Sequence, residues 1–499
     1  MINAKEIVLL SSSFCPHHSA NPAGLPMTNA YQLLVLFGSL ALLMYLVVRG
    51  KSIFVVAPLC ALIAVTLSGE DPLAKMNGAY MAGFADYVKR FFLIFALGAV
   101  FGKLMEDSGA AITVAHGVGK LLGKQRACLA VVLACALLTY GGVSLFVVGF
   151  SVYPLAVQLF RAANLPRRFI PASIAFGSIT FTMTSAGSPE IQNLIPIQYL
   201  VDAAGQKLTD ARAGWPVSLI VASMMFGLGQ WYLELVIRRA VAAGEHFEAR
   251  DGDRVAAHAG SNSPSYKAAI TPLVVTLLAL NLLPWCCHEL ATAMASPMTE
   301  PSSPRLFEFL SKFPEDATLS IFLGVIAGVV VMRRQRIDVW QCFGDGFING
   351  LLAVGSTSAV VGFGSAVKDL PAFQIVVQWV TSLPFDNPLI SAAIAVAVIA
   401  GIAGSASGGQ GIALPILKPI YIDQLNVAPR ALHRVISIAS GSLDSLPANG
   451  YLVMLIRNIC GETHARSYGP IFVTTVLLPA AGTVLAIGLF KQFPNWALM

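Results

Sequence analysis

Long apolar segments alternate along the chain with short loops in which the basic residues are concentrated. The first two segments, residues 31–48 and 52–67, are separated by a loop that contains Arg49 and Lys51. Of the 499 residues, 56% are hydrophobic and only 12% are charged, whereas soluble domains carry about 25% charged residues. Because so little charge cannot cover a surface in water, the segments are predicted to cross a lipid bilayer. The net charge of +6 lies mainly in the loops and does not indicate nucleic-acid binding.

The basic residues also predict which side of the bilayer each loop occupies. Short loops rich in Lys and Arg mark the cytoplasmic side, so the N- and C-termini are both predicted to lie outside. Residues 1–29 precede the first apolar segment and are predicted to be a dispensable N-terminal extension. A polar stretch at 241–266 is predicted to be a cytoplasmic linker between two halves, residues 30–240 and 267–499.

Each half contains an apolar segment that is too short to span the membrane. Residues 127–138 would form about 18 Å of helix, against a hydrocarbon core of about 30 Å. Because basic residues flank both ends of the stretch 127–163, it is predicted to be a re-entrant hairpin with a glycine tip. A second hairpin is predicted at 386–425, entering from the outside, with a glycine-serine tip at 404–411.

A helix interrupted by polar residues is predicted after each hairpin, at about 168–200 and 431–460. Residues 173–180, SIAFGSIT, match residues 437–444, SIASGSLD, at five of eight positions, and each match opens one interrupted helix. The first copy starts inside and the second outside, so the repeat is inverted. The predicted fold class is therefore an all-α polytopic membrane protein with an inverted repeat, each half having a re-entrant helical hairpin and a discontinuous transmembrane helix. This pattern is typical of secondary transporters with a site near the membrane midplane.

The hairpin tips and helix breaks supply hydroxyls, amides and bare backbone. Free N–H groups at the start of a half-helix attract anions, and the breaks themselves contain no Arg or Lys. This combination suits a small carboxylate that carries hydroxyl groups; the alternative for each small residue is helix packing. The predicted substrate-binding residues are Gly141, Gly142, Ser144, Thr184, Ser185, Ser188, Asn193, Ser405, Ser407, Gly408, Gly409, Gln410, Ser442, Ser445 and Asn449.

Two acidic residues lie in the breaks. Asp444 is a lone carboxylate inside an apolar segment, which indicates a functional group, here a proton carrier; the alternative is that it caps the following half-helix. Thr180 occupies the matching position of the first copy, so only one break carries this acid. Glu190 in the first break is the second candidate for proton coupling.

No motif for an enzyme or a metal site accompanies these features. His288-Glu289 lacks the second His of a zinc protease motif, the eight cysteines include no CxxC pair, and no nucleophile elbow is present. The sequence therefore predicts no enzyme activity, no metal and no cofactor. The coupling ion would be the proton or, alternatively, Na⁺ bound by unwound carbonyls and Ser or Asn side chains. An intramembrane enzyme remains the alternative from another class.

Three segments resemble the gluconate permease family of proton symporters, within the ion transporter superfamily. They are LGAVFGKLMEDSGAA (97–111), GGVSLFVVGFSVYPLA (141–156) and ASGSLDSLPANG (439–450), and the last is most similar to the D-β-hydroxybutyrate permease branch. The resemblance covers roughly residues 30 to 490. It implies an elevator-type carrier, a homodimer, that moves a small hydroxy-monocarboxylate with protons across a bacterial inner membrane.

The chain also departs from these relatives at two places. Ala448 stands where the hydroxybutyrate branch is expected to have His, which predicts a different proton route or substrate preference. Residues 143–147, VSLFV, replace the acidic and aromatic residues expected of gluconate carriers after the first glycine tip. This second departure favours a smaller and more apolar acid than a sugar acid.

Overall fold

The computed structural model describes residues 29–49, 51–249, 264–283, 286–287, 289–290, 317–335, 337–368, 370–373, 375, 387–447 and 449–498. Within these ranges almost all of the regular secondary structure is helical. The β-structure found there is a single antiparallel bridge between Val201 and Lys207. The prediction of an all-α protein is confirmed. The predicted extension, apart from its last residue, and Ala448 lie outside the described residues.

The described helices of the first half follow one another in short steps. Two helical turns, Pro72–Lys75 and Met76–Tyr80, lead into α3, and a π-helical turn, Phe176–Thr180, extends α7. The helices are α1 (Asn29–Val48), α2 (Ile53–Leu67), α3 (Met81–Asp107), α4 (Ala110–Leu122), α5 (Ala127–Tyr140), α6 (Leu145–Ala162), α7 (Ile170–Ala175), α8 (Ile191–Tyr199) and α9 (Trp215–Ala242).

The second half begins after the linker. Its described helices are α10 (Tyr266–Asn281), α11 (Ala317–Val331), α12 (Val339–Val367), α13 (Pro388–Ala403), α14 (Ala406–Lys418), α15 (Pro429–Leu443), α16 (Gly450–Ile459) and α17 (His464–Gln492). Several starts are fixed by capping side chains: Ser265, Asn387, Ser405 and Asn449 each accept a hydrogen bond from a backbone N–H in the first turn.

By length and apolar composition, three of the described helices can cross a membrane: α9, α12 and α17. Most of the other helices are shorter apolar segments. Large hydrophobic side chains point outward along the long helices; Trp231 on α9 is exposed, and Trp340 on α12 is 88% exposed. Exposed apolar surface on this scale is typical of a protein whose solvent is lipid.

The stretch between residues 81 and 122 contains two helices. Helix α3 begins at Met81 and ends at Asp107, and α4 is a separate helix. Gly109 lies between them with a φ of +70°, a left-handed conformation that favours glycine and that ends the regular helix. Lys103 pairs with Glu106 and Asp107 at 3.8 and 2.8 Å, a local charge group at the end of α3.

Helices α3 and α12 pack closely along their length. A Cβ at Gly350 would lie 2.5 Å from the Cα of Ala96, and one at Gly346 would lie 2.6 Å from the Cα of Val100. Glycines four residues apart face the same side of a helix and let two backbones approach, as small residues do at membrane-helix contacts. This glycine seam makes α3 and α12 a tightly joined pair beside the hairpins and breaks.

The start of the linker is attached to both halves at the basic face. Glu245 accepts hydrogen bonds from Nε and Nη2 of Arg168 at 2.6 and 2.7 Å, and Glu248 accepts two from Arg466 at 3.1 and 2.7 Å. The hydrogen bond from the Arg168 guanidinium lowers the pKa of Glu245. Because Arg168 precedes α7 and Arg466 lies in the first turn of α17, the linker joins the starts of these two helices.

Candidate functional site

Two helical hairpins and two helix breaks surround the candidate site. The first hairpin is α5 and α6, joined by residues 141–144, and the second hairpin is α13 and α14, joined by residues 404–405. The first break is residues 181–190, between the end of α7 and α8; the second break is residues 444–449, between α15 and α16.

The first break is held by side-chain amides. Asn193 Nδ2 donates to the carbonyl oxygens of Ser188 and Ala211, both at 2.9 Å, and Asn281 Nδ2 donates to the Gly187 carbonyl at 3.0 Å. Gly187 has a φ of +77°, and a Cβ there would lie 2.5 Å from Asn281 Oδ1. Backbone groups released by the interrupted helix are thus paired with amides from α8 and α10, as burial requires.

The second break is organised by Asn449 and Asp444. Asn449 Oδ1 accepts from Leu452 N at 3.0 Å and caps α16, while its Nδ2 donates to the Asp444 carbonyl oxygen at 3.0 Å. The alternative that Asp444 caps this half-helix is therefore wrong. The Asp444 side chain is 5% exposed, and its Oδ1 accepts from Ser445 Oγ at 2.9 Å.

The second hairpin has a shorter tip than predicted. We expected irregular backbone over 404–411, but α14 begins at Ala406, so Ser407, Gly408, Gly409 and Gln410 lie in its first turns. Ser405 Oγ accepts from Gly408 N at 3.2 Å and starts the helix early. A Cβ at Gly409 would lie 2.4 Å from the Cα of Ala400, so this glycine serves the close packing of α13 on α14.

Each hairpin tip contacts the break of its own half. Gly142 has a φ of +93°, and a Cβ there would lie 3.3 Å from Pro189 Cγ in the first break. Asn449 Nδ2 in the second break reaches the carbonyl oxygen of Gly404 at 3.4 Å. Tip and break therefore form one surface in each half.

Hydrogen bonds between the halves bring the two surfaces together. Gln410 Nε2 donates to the Gln192 carbonyl oxygen at 3.1 Å, and Ser437 Oγ donates to the same oxygen at 3.1 Å. On the other side, Thr180 Oγ1 donates to the Thr474 carbonyl oxygen at 3.0 Å. The first broken helix thus contacts α14, α15 and α17.

The predicted residues fall into two groups, and Ser144 lies apart from both, against Gly102 of α3. Within the groups, Ser442 and Thr184 donate in their own helical turns, to Ala439 O at 2.6 Å and Thr180 O at 3.4 Å. The group around the first break is Gly141, Gly142, Thr184, Ser185, Ser188, Asn193 and the buried Glu190; the group around the second is Ser405, Ser407, Gly408, Gly409, Gln410, Ser442, Asp444, Ser445 and Asn449.

The sequence interpretation missed a buried basic pair on α15. Arg434 is fully buried and donates to the carbonyl oxygens of Ala213 at 2.9 Å and of Thr184. His433 Nδ1 lies 2.8 Å from Thr209 Oγ1, and its Nε2 lies 3.3 Å from Asn193 Oδ1. The sequence signal that could have found this pair is two adjacent basic residues, His433 and Arg434, in a largely apolar segment at the start of the second broken helix.

Acidic side chains also lie near the site. Asp210 forms an ion pair with Arg430 at the edge of the same buried group. Among the described residues, no three His, Cys, Asp or Glu side chains converge to a metal site. The arrangement offers hydroxyls, amides, helix ends and two buried carboxyl groups, Glu190 in the first break and Asp444 in the second.

The sequence matches known proteins over nearly its whole length. The sequence model of the GntP family permease matches residues 31–491. The chain is 35% identical over 477 residues to the uncharacterized transporter YxjC of Bacillus subtilis (strain 168), covering 90% of this chain and 97% of that protein. It is 24% identical over 479 residues to the low-affinity gluconate transporter of Escherichia coli (strain K12), covering 93% and 99%.

Two solved structures are similar in fold. The Alcanivorax borkumensis YdaH transporter superposes with a TM-score of 0.51 at 16% identity, covering 86% of this chain and 90% of that chain. Neisseria gonorrhoeae MtrF, from a class of antimetabolite efflux pumps, superposes with a TM-score of 0.51 at 14% identity, covering 85% and 84%. At these identities the likeness concerns the fold alone.

Proposed function

The chain belongs to the GntP family of permeases, and from this premise we propose that it is a secondary active transporter that imports a small hydroxy-monocarboxylate by proton symport. Membership of this family means that the chain is a multi-pass membrane transporter and not an enzyme. The proposed substrate is an acid such as 3-hydroxybutyrate or a gluconate-like acid. Similarity to gluconate transporters supports a hydroxy acid, and the apolar residues 143–147 support a small one.

The buried Asp444 carries the proposal of proton coupling. Within the described part of the chain, no Lys or Arg forms an ion pair with this carboxyl group. Burial of an ionised carboxylate without a counter-charge is far more costly than burial of the neutral acid. Asp444 therefore binds a proton when the second hairpin closes over it, and releases the proton when the site opens to water.

The transport cycle is proposed to use the two hairpins as gates. Each tip contacts the break of its own half, which supports an inverted repeat with one hairpin on each side of the membrane. Movement of the hairpins and breaks against the α3–α12 pair would give the elevator-type mechanism. Homodimerisation and residence in a bacterial inner membrane belong to the same proposal.

Helix α17 runs from the linker's basic face to Gln492, which supports a periplasmic C-terminus, and basic-residue asymmetry supports a periplasmic N-terminus.

Proteoliposome uptake tests the proposed coupling. The purified full chain is reconstituted, and uptake of labelled D-3-hydroxybutyrate is measured with a pH gradient alone, in the complete absence of sodium. We expect accumulation above equilibrium that collapses when a protonophore is added. Accumulation that requires an inward sodium gradient, and ignores the pH gradient, would instead establish the sodium-coupled alternative.

Substitution of Gly142 tests the role of the first tip. Gly142→Leu would place a side chain against Pro189 and is expected to raise the apparent Km for uptake by roughly tenfold or more, since about 1.4 kcal/mol of lost binding is tenfold. The matched control is Gly244→Leu: Gly244 has a φ of +92° but open space around its Cβ position. Both variants share the left-handed strain of about 1–2 kcal/mol, so a normal Km in Gly142→Leu would remove the tip from the site.

A further inference from the structure

Two glutamines at the contact between the halves each carry a buried amide oxygen with no hydrogen-bond donor among the residues that the structure describes. Gln410 is fully buried and Gln192 is 7% exposed, and Oε1 of each is without a partner there. An unpaired buried acceptor is destabilising, and native proteins contain few of them. The Gln410 side chain and the Gln192 backbone carbonyl belong to one hydrogen-bond cluster, and unpaired amide oxygens on two residues of that cluster point to a ligand that donates hydrogen bonds.

The orientation of the Gln410 amide follows from its partners. Its Nε2 donates to the Gln192 carbonyl oxygen at 3.1 Å and to Ser440 Oγ at 2.7 Å. A backbone carbonyl can only accept, so the amide nitrogen must face it and Oε1 must face away. The nearest serine hydroxyls are engaged elsewhere: Ser437 donates to the Gln192 carbonyl and Ser440 to the Ser437 carbonyl. The Gln410 amide oxygen is thus left as an acceptor.

The cluster adjoins the N-terminal end of α14. Gln410 lies one turn into this 13-residue helix. The N–H groups of Gly408 and Gly409 are bonded to Ser405. This leaves the N–H of Ser407, and that of Ala406 beside Asp444, to attract a carboxylate. Tyr87 of α3 closes the neighbouring side, because a Cβ at Gly411 would lie 2.9 Å from its ring. Because Gln410 lies about 6 Å along the helix axis from Ala406, one short hydroxy acid can reach both the helix end and the cluster.

We propose that Oε1 of Gln410 and Oε1 of Gln192 accept hydrogen bonds from the substrate hydroxyl group and thereby select hydroxy acids over the same acids without the hydroxyl. The inference rests on the proposed function, since it requires a carboxylate substrate bound between the halves. A deoxy acid leaves these acceptors unpaired in a closed site. Sites built to bond a substrate hydroxyl reject the analogue that lacks it for this reason.

Competition measurements on the wild-type chain give the first test. Counterflow of labelled D-3-hydroxybutyrate in proteoliposomes is inhibited with unlabelled D-3-hydroxybutyrate or with butyrate. We expect butyrate to be weaker by about tenfold to hundredfold, as the loss of hydrogen bonds to buried acceptors implies. Equal inhibition by the two acids overturns the inference and leaves the proposed function standing. Absence of any counterflow defeats the proposed substrate and the inference together.

Variants assign the selectivity to these oxygens. Gln410→Met and Gln192→Met are expected to bring the ratio of the two inhibition constants close to one, chiefly by weakening D-3-hydroxybutyrate. The matched control is Gln335→Met: Gln335 Oε1 is likewise without a partner among the described residues, but it lies in the turn after α11 and its loss should leave the ratio unchanged. Variants that keep the wild-type ratio overturn the assignment. If wild-type uptake requires sodium and the two variants lose that requirement but keep the ratio, the oxygens bind a cation, and the assignment is likewise overturned. If both variants fail to fold, the wild-type ratio still decides.

Discussion

The Asp444→Asn variant is expected to lose accumulation driven by a pH gradient while it retains exchange of substrate across the membrane. Asn has nearly the same shape and can still accept the hydrogen bond from Ser445 Oγ that Asp444 accepts at 2.9 Å, but it cannot carry a proton. A carrier without its proton-binding group can still equilibrate substrate. The ratio of internal to external D-3-hydroxybutyrate at steady state should therefore fall to about one, measured beside counterflow in the same vesicles.

The matched control for this variant is Asp423→Asn. Asp423 is also an acid of the second half, but it lies at the far end of the second hairpin and pairs with Lys418 at 2.9 Å, with half of its side chain exposed. Its removal should leave accumulation intact, since exposed ion pairs contribute little. If Asp444→Asn accumulates substrate as the wild type does, coupling resides elsewhere, with Glu190 as the next acid to replace.

Replacement of the buried Arg434 is expected to give the largest loss of stability. Its guanidinium group donates to carbonyl oxygens of Thr184, Ala211 and Ala213. Arg434→Met leaves the carbonyl oxygens of Thr184 and Ala213 unpaired, at about 1–3 kcal/mol each, whereas the Ala211 oxygen keeps the hydrogen bonds from Asn193 Nδ2 and Gly187 N. We therefore expect a loss of roughly 2 kcal/mol or more in the free energy of unfolding. The measurement is the apparent melting temperature of the purified protein in detergent, which should fall by several degrees.

One further variant separates geometry from charge at this position, and a second variant on α9 is the control. Arg434→Lys keeps the positive charge but not the planar fork of donors, so it should recover only part of the stability. Arg238→Met removes an arginine from α9 whose side chain is 80% exposed, and should change the melting temperature little. A wild-type melting temperature in Arg434→Met would mean that the carbonyl groups of Thr184 and Ala213 find other donors.

The sequence predicted the class of the protein better than the contacts of its site. Charge distribution and apolar segments indicate an all-α membrane protein, and the interruptions at Pro189 and Pro447 are visible because proline and neighbouring polar residues break a helix. The early start of α14 was missed because Ser405 caps a glycine-rich turn that resembles a loop. The role of Arg434 was missed because its acceptors are backbone carbonyls, which have no signature in a sequence, and because they lie up to 250 residues away.

That separation along the chain has a consequence for biosynthesis. Thr184 in the first break is translated 250 residues before Arg434, the side chain that binds its carbonyl oxygen. At about 5–20 residues per second, a nascent chain waits roughly 12–50 s for that partner. During this interval the first half resides in the membrane with backbone groups of its break lacking their final partner. The Thr184 carbonyl oxygen therefore acquires its arginine donor only after the second broken helix has been synthesised.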